Sequence, residues 1–186
     1  MYGRSRRYSV LLLSTAILVF CAAAAASPGA PSPPTSELVA PAALQKLLPA
    51  PDGWTKGVVR SNQVDISADV SYTVASVSYG KEGMQVKLTI ADTGGHSDSL
   101  IALAAMVMTL PEDHVGQIPP ATTITRIKVD GSPAVEMWDS EKLNGEIAVV
   151  INGRFVAAVE TSKADSLETL RAVLATVDLK ALAALK

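Results

Sequence analysis

Apolar and polar residues alternate along much of the chain between residues 70 and 161, which is the period of two expected for strands with one buried face. The clearest case is the stretch in which Met84, Val86, Leu88 and Ile90 alternate with polar residues. The other stretches predicted to be strands are 70–79, 125–129, 133–138, 147–151 and 154–161.

Short turn motifs separate these stretches and predict how the strands are joined. Gly80-Lys81-Glu82-Gly83, Asp130-Gly131 and Asn152-Gly153 each lie between two predicted strands. Asn-Gly and Asp-Gly favour the tight turns of β-hairpins. Consecutive strands joined in this way pair antiparallel.

Helical patterns lie on both sides of the strand-rich region and once within it. A short helix is predicted to begin near Pro41, and a second one is predicted from Ser99 to Leu110. Asp165 and Glu168 resemble a capping box that opens a third helix, and Asp178 can cap a fourth. The pattern therefore predicts an α+β fold, an antiparallel sheet of about five or six hairpin-linked strands with helices packed on one face.

The N-terminus has the three parts of a secretory signal peptide. Arg4, Arg6 and Arg7 precede an apolar stretch that ends in Ala24-Ala25-Ala26, a small-residue cleavage site. We therefore predict a signal peptide at 1–26, a Pro/Ser/Ala-rich linker at 27–37 and a single α+β domain at 38–186.

Export places the mature protein in the periplasm, with full secretion as the alternative, and leaves no stable membrane span after the signal is cleaved. A second alternative is a lipid anchor on Cys21, the sole cysteine, although Phe20 occupies the position where a lipoprotein peptidase requires a small residue. Cleavage after Ala26 removes this cysteine, and with it disulfides and Cys-ligated metals.

The charge of the mature chain excludes one class of partner. Without the three arginines of the signal, the 16 basic residues fall to 13 against 18 acidic residues, which gives a formal charge of −5. Binding to nucleic acid requires a basic face that displaces counterions from phosphates. We expect no nucleic-acid partner.

The segment from Leu100 to Met108 carries no polar side chain, so a helix formed there is apolar on every side. Three interpretations are open: a helix covered on both sides, a face for an envelope protein or for self-association, and the wall of a pocket for an apolar ligand. The candidate ligand- or partner-binding residues are Leu100, Leu103, Met106, Met108, Trp54 and Trp138.

Residues that carry chemistry are sparse. His96 lies between Asp92 and Asp98, and these three residues suggest a hydrolase or a metal-dependent enzyme only if the loop folds back on itself. Their spacing matches no ligand or catalytic motif. We therefore expect no enzymatic activity, no cofactor and no metal.

Several short motifs resemble those of small exported bacterial proteins of unknown function, and the layout is similar to that of Mog1/PsbP-like envelope proteins. The motifs are Leu47-Leu48-Pro49 leading to Gly53-Trp54, the Asp130-Gly131 and Asn152-Gly153 hairpins, and the Val177-Asp178-Leu179 helix junction. The resemblance implies the α+β fold class and transfers no catalytic residue. The sequence thus predicts an exported, non-enzymatic domain that binds a protein or envelope component, with a carrier or sensor of an apolar ligand as the alternative.

Overall fold

The computed structural model describes residues 37–65, 71–95 and 121–186, which form eight strands and three short helices. The strands are β1 (Thr55–Lys56), β2 (Arg60–Asp65), β3 (Ser71–Lys81), β4 (Met84–Asp92), β5 (Thr122–Val129), β6 (Ser132–Asp139), β7 (Asn144–Ile151) and β8 (Phe155–Lys163). The helices are α1 (Pro41–Gln45), α2 (Leu167–Leu174) and α3 (Leu179–Ala183).

The strands form one sheet in which every neighbouring pair is antiparallel. The order across the sheet is β1-β3-β4-β8-β7-β6-β5, and β2 also pairs with β3. Thr55 of β1 lies opposite Gly80, whereas Arg60 of β2 lies opposite Ser76. Strands β1 and β2 are therefore two parts of a single outer edge that is interrupted at residues 57–59.

The sheet is antiparallel as predicted, but it is larger than predicted, with eight strands where five or six were expected. The additional strands are β1 and β2. Most of their side chains are exposed, and the sequence Arg60–Asp65 has no apolar alternation because the strand lies at the edge. A pattern search that relies on one buried face cannot detect such a strand.

The predicted hairpin turns form, and their backbones explain the residues found there. Glu82 and Gly83 have φ of 50° and 80°, and Asp130 and Gly131 have φ of 50° and 83°. Positive φ at both central residues defines the type I′ turn, whose twist matches that of the strands it joins.

One face of the sheet, called here the first face, carries the core. The apolar strand residues buried on it are Ala75, Val77, Tyr79, Val86, Leu88, Ile90, Ala134, Ile147, Val149, Ile151, Phe155, Ala157 and Val159. All three described helices contribute to the same cluster, with Leu44 from α1, Leu170 from α2 and Leu182 from α3. The described helices therefore pack on one face.

The two predicted C-terminal helix starts have different outcomes. Asp178 does cap the last helix, because its Oδ1 accepts a hydrogen bond from the backbone N of Ala181 at 2.8 Å. The capping box at Asp165 and Glu168 is wrong. Helix α2 begins one residue later, after Ser166, and Asp165 accepts a hydrogen bond from the hydroxyl of Thr169 instead. The helix predicted from Ser99 to Leu110 lies outside the described residues.

We expect Gly145→Ala to destabilise the domain by about 1–3 kcal/mol, the usual cost of forcing extra atoms into a packed site. A Cβ at this position would lie 2.4 Å from the carbonyl O of Met137 and 2.7 Å from Cε3 of Trp138. The measurement is urea denaturation followed by tryptophan fluorescence. Gly80→Ala is the matched control, because a Cβ there meets no atom within 4 Å. Equal stability of the two variants would contradict the close packing.

Candidate functional site

Gly53 and Thr55, the residues on either side of Trp54, line an open cleft at the end of the sheet where β3 and β4 are joined. The indole packs partly against the core, and Nζ of Lys81 lies 6.0 Å from the ring centroid. The cleft has a volume of about 430 Å³, and its lining is mainly polar and glycine-rich: Gly53, Thr55, Gly80, Lys81, Glu82, Gly83, Met84 and Gln85. Lys81 thus connects the cleft, which it lines, to the indole of Trp54.

The edge strand that begins at the cleft with Thr55 is interrupted at residues 57–59. Val58, between β1 and β2, is 79% exposed, the larger of the two values among the exposed large hydrophobic residues described. Gly57 donates its backbone N–H to the carbonyl O of Ser78 at 2.8 Å, which holds the interruption against β3. A Cβ on Gly57 would lie 2.9 Å from that oxygen, so the close approach favours glycine. No pattern in the sequence singled out Val58 or Lys81 as a site residue.

Trp138 lies elsewhere in the sheet. It is on β6, where it packs partly against the first-face core and lies opposite Gly145 of β7. Strands β1 and β6 are five positions apart in the sheet, which corresponds to about 24 Å. The structure therefore does not bring the two predicted tryptophans into one site.

The remaining predicted binding residues, Leu100, Leu103, Met106 and Met108, lie outside the described residues. His96 and Asp98 lie there as well. The two hypotheses built on them, an apolar-ligand site and a histidine-based enzyme site, stay predictions.

Asp92, the third member of the histidine cluster, has a defined environment. Its side chain is fully buried at the end of β4 and accepts four hydrogen bonds. Val39 N donates to Oδ2 at 2.7 Å, Gly94 N donates to Oδ1 at 2.9 Å, and Arg154 donates from Nε and one terminal nitrogen at 2.8 Å each. Both carboxylate oxygens therefore already have partners within the protein.

These hydrogen bonds determine the ionisation of Asp92. Burial by itself raises the pKa of the carboxyl, but the hydrogen bonds from Arg154, Val39 and Gly94 outweigh it and hold the pKa below its ordinary value. Arg154 in turn donates to the carbonyl O of Glu37 at 2.8 Å, and its guanidinium lies 5.0 Å from the ring centroid of Phe155. Sequence analysis did not single out Arg154, because its partner is 62 residues away.

The other carboxylates of the β6–β7 region occupy separate environments. Glu136 is buried on the first face and pairs with Arg171 of α2 through two contacts of 2.6 Å. Asp139 accepts hydrogen bonds from the backbone N of Glu141 and Lys142, which closes the β6–β7 turn. These are structural roles.

Glu146 lies on the opposite face of the sheet, directly across from Glu160 of β8. Burial, and secondarily the charge of Glu160, raise the pKa of Glu146. Lys87 forms a 2.7 Å ion pair with Glu160 on the same face.

Among residues 37–65, 71–95 and 121–186, no three His, Cys, Asp or Glu side chains are grouped closely enough to hold a metal ion. Within the same ranges, no helix has the length and apolar character needed to cross a membrane. No family model, curated protein or solved structure matches this chain.

We expect Asp92→Asn to destabilise the domain by about 3 kcal/mol, because it leaves the guanidinium of Arg154, 16% exposed, without its counter-charge. The pKa of Asp92 is lowered in the folded state, so its stabilisation is complete above the ordinary value of 3.8 and is lost as the pH falls through the folded-state pKa. The difference between wild type and variant should therefore shrink in acid.

The measurement is urea denaturation at a series of pH values. Glu160→Gln is the matched control, since it removes a carboxylate whose ion pair with Lys87 is exposed on both sides. It should change the free energy of unfolding by less than about 1 kcal/mol. A difference for Asp92→Asn that stays constant down to low pH would contradict the assigned ionisation.

Proposed function

We propose that this chain is an exported, non-enzymatic periplasmic domain that binds a protein or another component of the cell envelope through the region around Trp54. The observation that carries the proposal is the position of Trp54, a partly exposed indole whose two neighbours in the chain, Gly53 and Thr55, line an open cleft at the edge of the sheet. Aromatic residues at the centre of an interface often provide most of its binding energy.

The surroundings of Trp54 favour an extended segment of a partner. The edge strand beside the cleft pairs on one side only, so it offers backbone groups to an added strand. The exposed Val58 adds an apolar contact at the interruption of that strand. Lys81 and Glu82 place both signs of charge in the cleft, which suits a polar peptide.

Export is supported by the N-terminal sequence, and the domain fits a soluble partner-binding module after signal cleavage.

Photo-crosslinking in the native cell envelope tests the proposed surface. We expect p-benzoylphenylalanine in place of Val58 to form an adduct of one reproducible mass, because a partner on the edge strand covers this residue. Combination with Trp54→Ala should reduce the adduct at least tenfold, whereas Trp54→Phe should preserve most of it.

The matched control is the same photo-crosslinker at Leu143, the other exposed large hydrophobic residue described, which lies in the β6–β7 turn. It should give no adduct of that mass. Circular dichroism establishes that each variant is folded. An adduct at Leu143 as strong as at Val58, or one insensitive to Trp54→Ala, would contradict the proposal.

A carrier or sensor of an apolar ligand is the second candidate, and the observation behind it is the apolar segment Leu100–Met108. Such a segment supplies the kind of lining that binds an apolar molecule.

Native mass spectrometry of the protein isolated gently from its own envelope distinguishes the two candidates. For the proposed function we expect a bare mass that begins at Ser27. An added mass that disappears on denaturation would support the ligand carrier instead. A covalent acyl mass on Cys21 would contradict a free periplasmic domain.

A further inference from the structure

The face of the sheet opposite the helices, called here the second face, contains an apolar surface that the described helices do not contact. Its apolar residues are Val74, Ala91, Val135, Met137, Ala148, Val150, Val156 and Ala158. None of them belongs to the cluster that joins α1, α2 and α3 to the sheet. An apolar sheet face of this size is normally covered by another layer.

The most buried apolar residues of the second face lie along a diagonal of the sheet. Ala91 of β4 is 6% exposed, Val150 and Ala148 of β7 are 5% and 8%, and Val135 of β6 is 8%. By contrast, the side chains of Lys87 and Glu160, at the off-diagonal corner, are 48% and 43% exposed. The diagonal leads from the end of β4 towards the beginning of β5.

The chain leaves and re-enters the described structure at the two ends of this diagonal. It leaves after Gly95, where Thr93 N–H bonds to the carbonyl O of Arg154 at one end of the sheet. It returns at Ala121, whose carbonyl O accepts from Ser140 N at the opposite end. Any connection between these two points has to run the length of the sheet and cross β8, β7 and β6.

The length of this segment fits the distance. Four strand spacings across and about eight residues along the sheet correspond to a diagonal of about 30 Å. A helix of about 20 residues spans that distance, and an extended chain of the same length spans more. Residues 96–120 are sufficient, and Leu100–Met108 supplies the apolar side chains.

The handedness of the connection decides which face it crosses. Four antiparallel pairings separate β4 from β5, so the two strands are parallel, and connections between parallel strands of one sheet are nearly always right-handed. The direction of the backbone hydrogen bonds of β4 is then enough to identify the face.

The type I′ turn at Glu82-Gly83 makes Lys81 and Met84 a hydrogen-bonded pair. Every second residue of β4 from Met84 onwards, including Val86, therefore directs its N–H and C=O towards β3. Val86 is a first-face residue. Consider β4 drawn with its chain direction pointing up and viewed from the first face. Because the residues are L-amino acids, β3 then lies to the right of β4 and β5 lies to its left. A connection across the first face would be left-handed, and one across the second face is right-handed.

We propose that residues 96–120 of this same chain lie across the second face of the sheet, with the apolar segment Leu100–Met108 covering Ala91, Val150, Ala148 and Val135. The sheet then has a covering layer on both faces. The raised pKa of Glu146, which lies on the second face between this diagonal and Glu160, agrees with a cover that keeps water from that carboxyl. The proposal is independent of the surface assigned to the partner at Trp54.

Cysteine crosslinking in the full chain tests the proposal. Cys21→Ser removes the native thiol, Ala148→Cys places one thiol at the centre of the diagonal, and the second is placed in turn at Leu103, Ala104, Ala105 and Met106. These four consecutive positions ensure that at least one side chain faces the sheet. We expect at least one pair to form an intramolecular link with a short bismaleimide, identified by intact mass and peptide mapping.

Glu168→Cys replaces Ala148→Cys in the matched control, because Glu168 is an exposed residue of α2 on the first face. It should form no link with any of the four positions. Links from Glu168→Cys alone would place the segment on the first face, and links between two chains would make the cover a second copy. Either result, or the absence of any link in variants with wild-type circular dichroism, would overturn the proposal.

Discussion

The buried carboxylate of Asp92 connects three parts of the chain that are distant in sequence. It receives hydrogen bonds from the N-terminal segment at Val39, from the residues after β4 at Gly94, and from Arg154 at the end of the β7–β8 turn. A carboxylate buried in this way is tolerated only when donors surround it, because its unpaired charge would be very costly in an apolar interior. The pairing of β4 with β8 joins the two groups of hairpins in the sheet, and this ion pair lies at the end of those two strands.

The remaining architecture depends on that junction. On the first face, α1 contacts β2 and β3, while α2 contacts β8, β7 and β4, so the helices extend the core over both groups of hairpins. A second ion pair between Glu136 of β6 and Arg171 of α2 ties the helix to the strands beyond β7. The second face has its own apolar diagonal, which belongs to no part of the core that the helices cover.

The proposed binding region lies away from the Asp92 ion pair and from the apolar diagonal of the second face. The cleft beside Trp54 is formed by the β3–β4 turn and the interrupted edge strand, where backbone groups and polar side chains face solvent. None of the residues that line the cleft belongs to the buried core or to the Asp92 ion pair. Separation of the proposed binding surface from these stabilising contacts would allow that surface to vary without loss of the fold.

Local sequence determined the elements whose signal is local. Alternation identified β3, β4 and the four strands from β5 to β8, and Asn-Gly, Asp-Gly and Glu-Gly positions of positive φ define the turns that join them. The edge strands β1 and β2 were missed because exposed polar residues carry no periodic signal, and the shifted start of α2 reflects a choice between neighbouring capping residues. The partners of Asp92 and Glu136, the separation of Trp54 from Trp138 and the arrangement of the two faces depend on strand order. Only the tertiary structure decided these features, because strand order follows from packing between residues that are far apart in the chain.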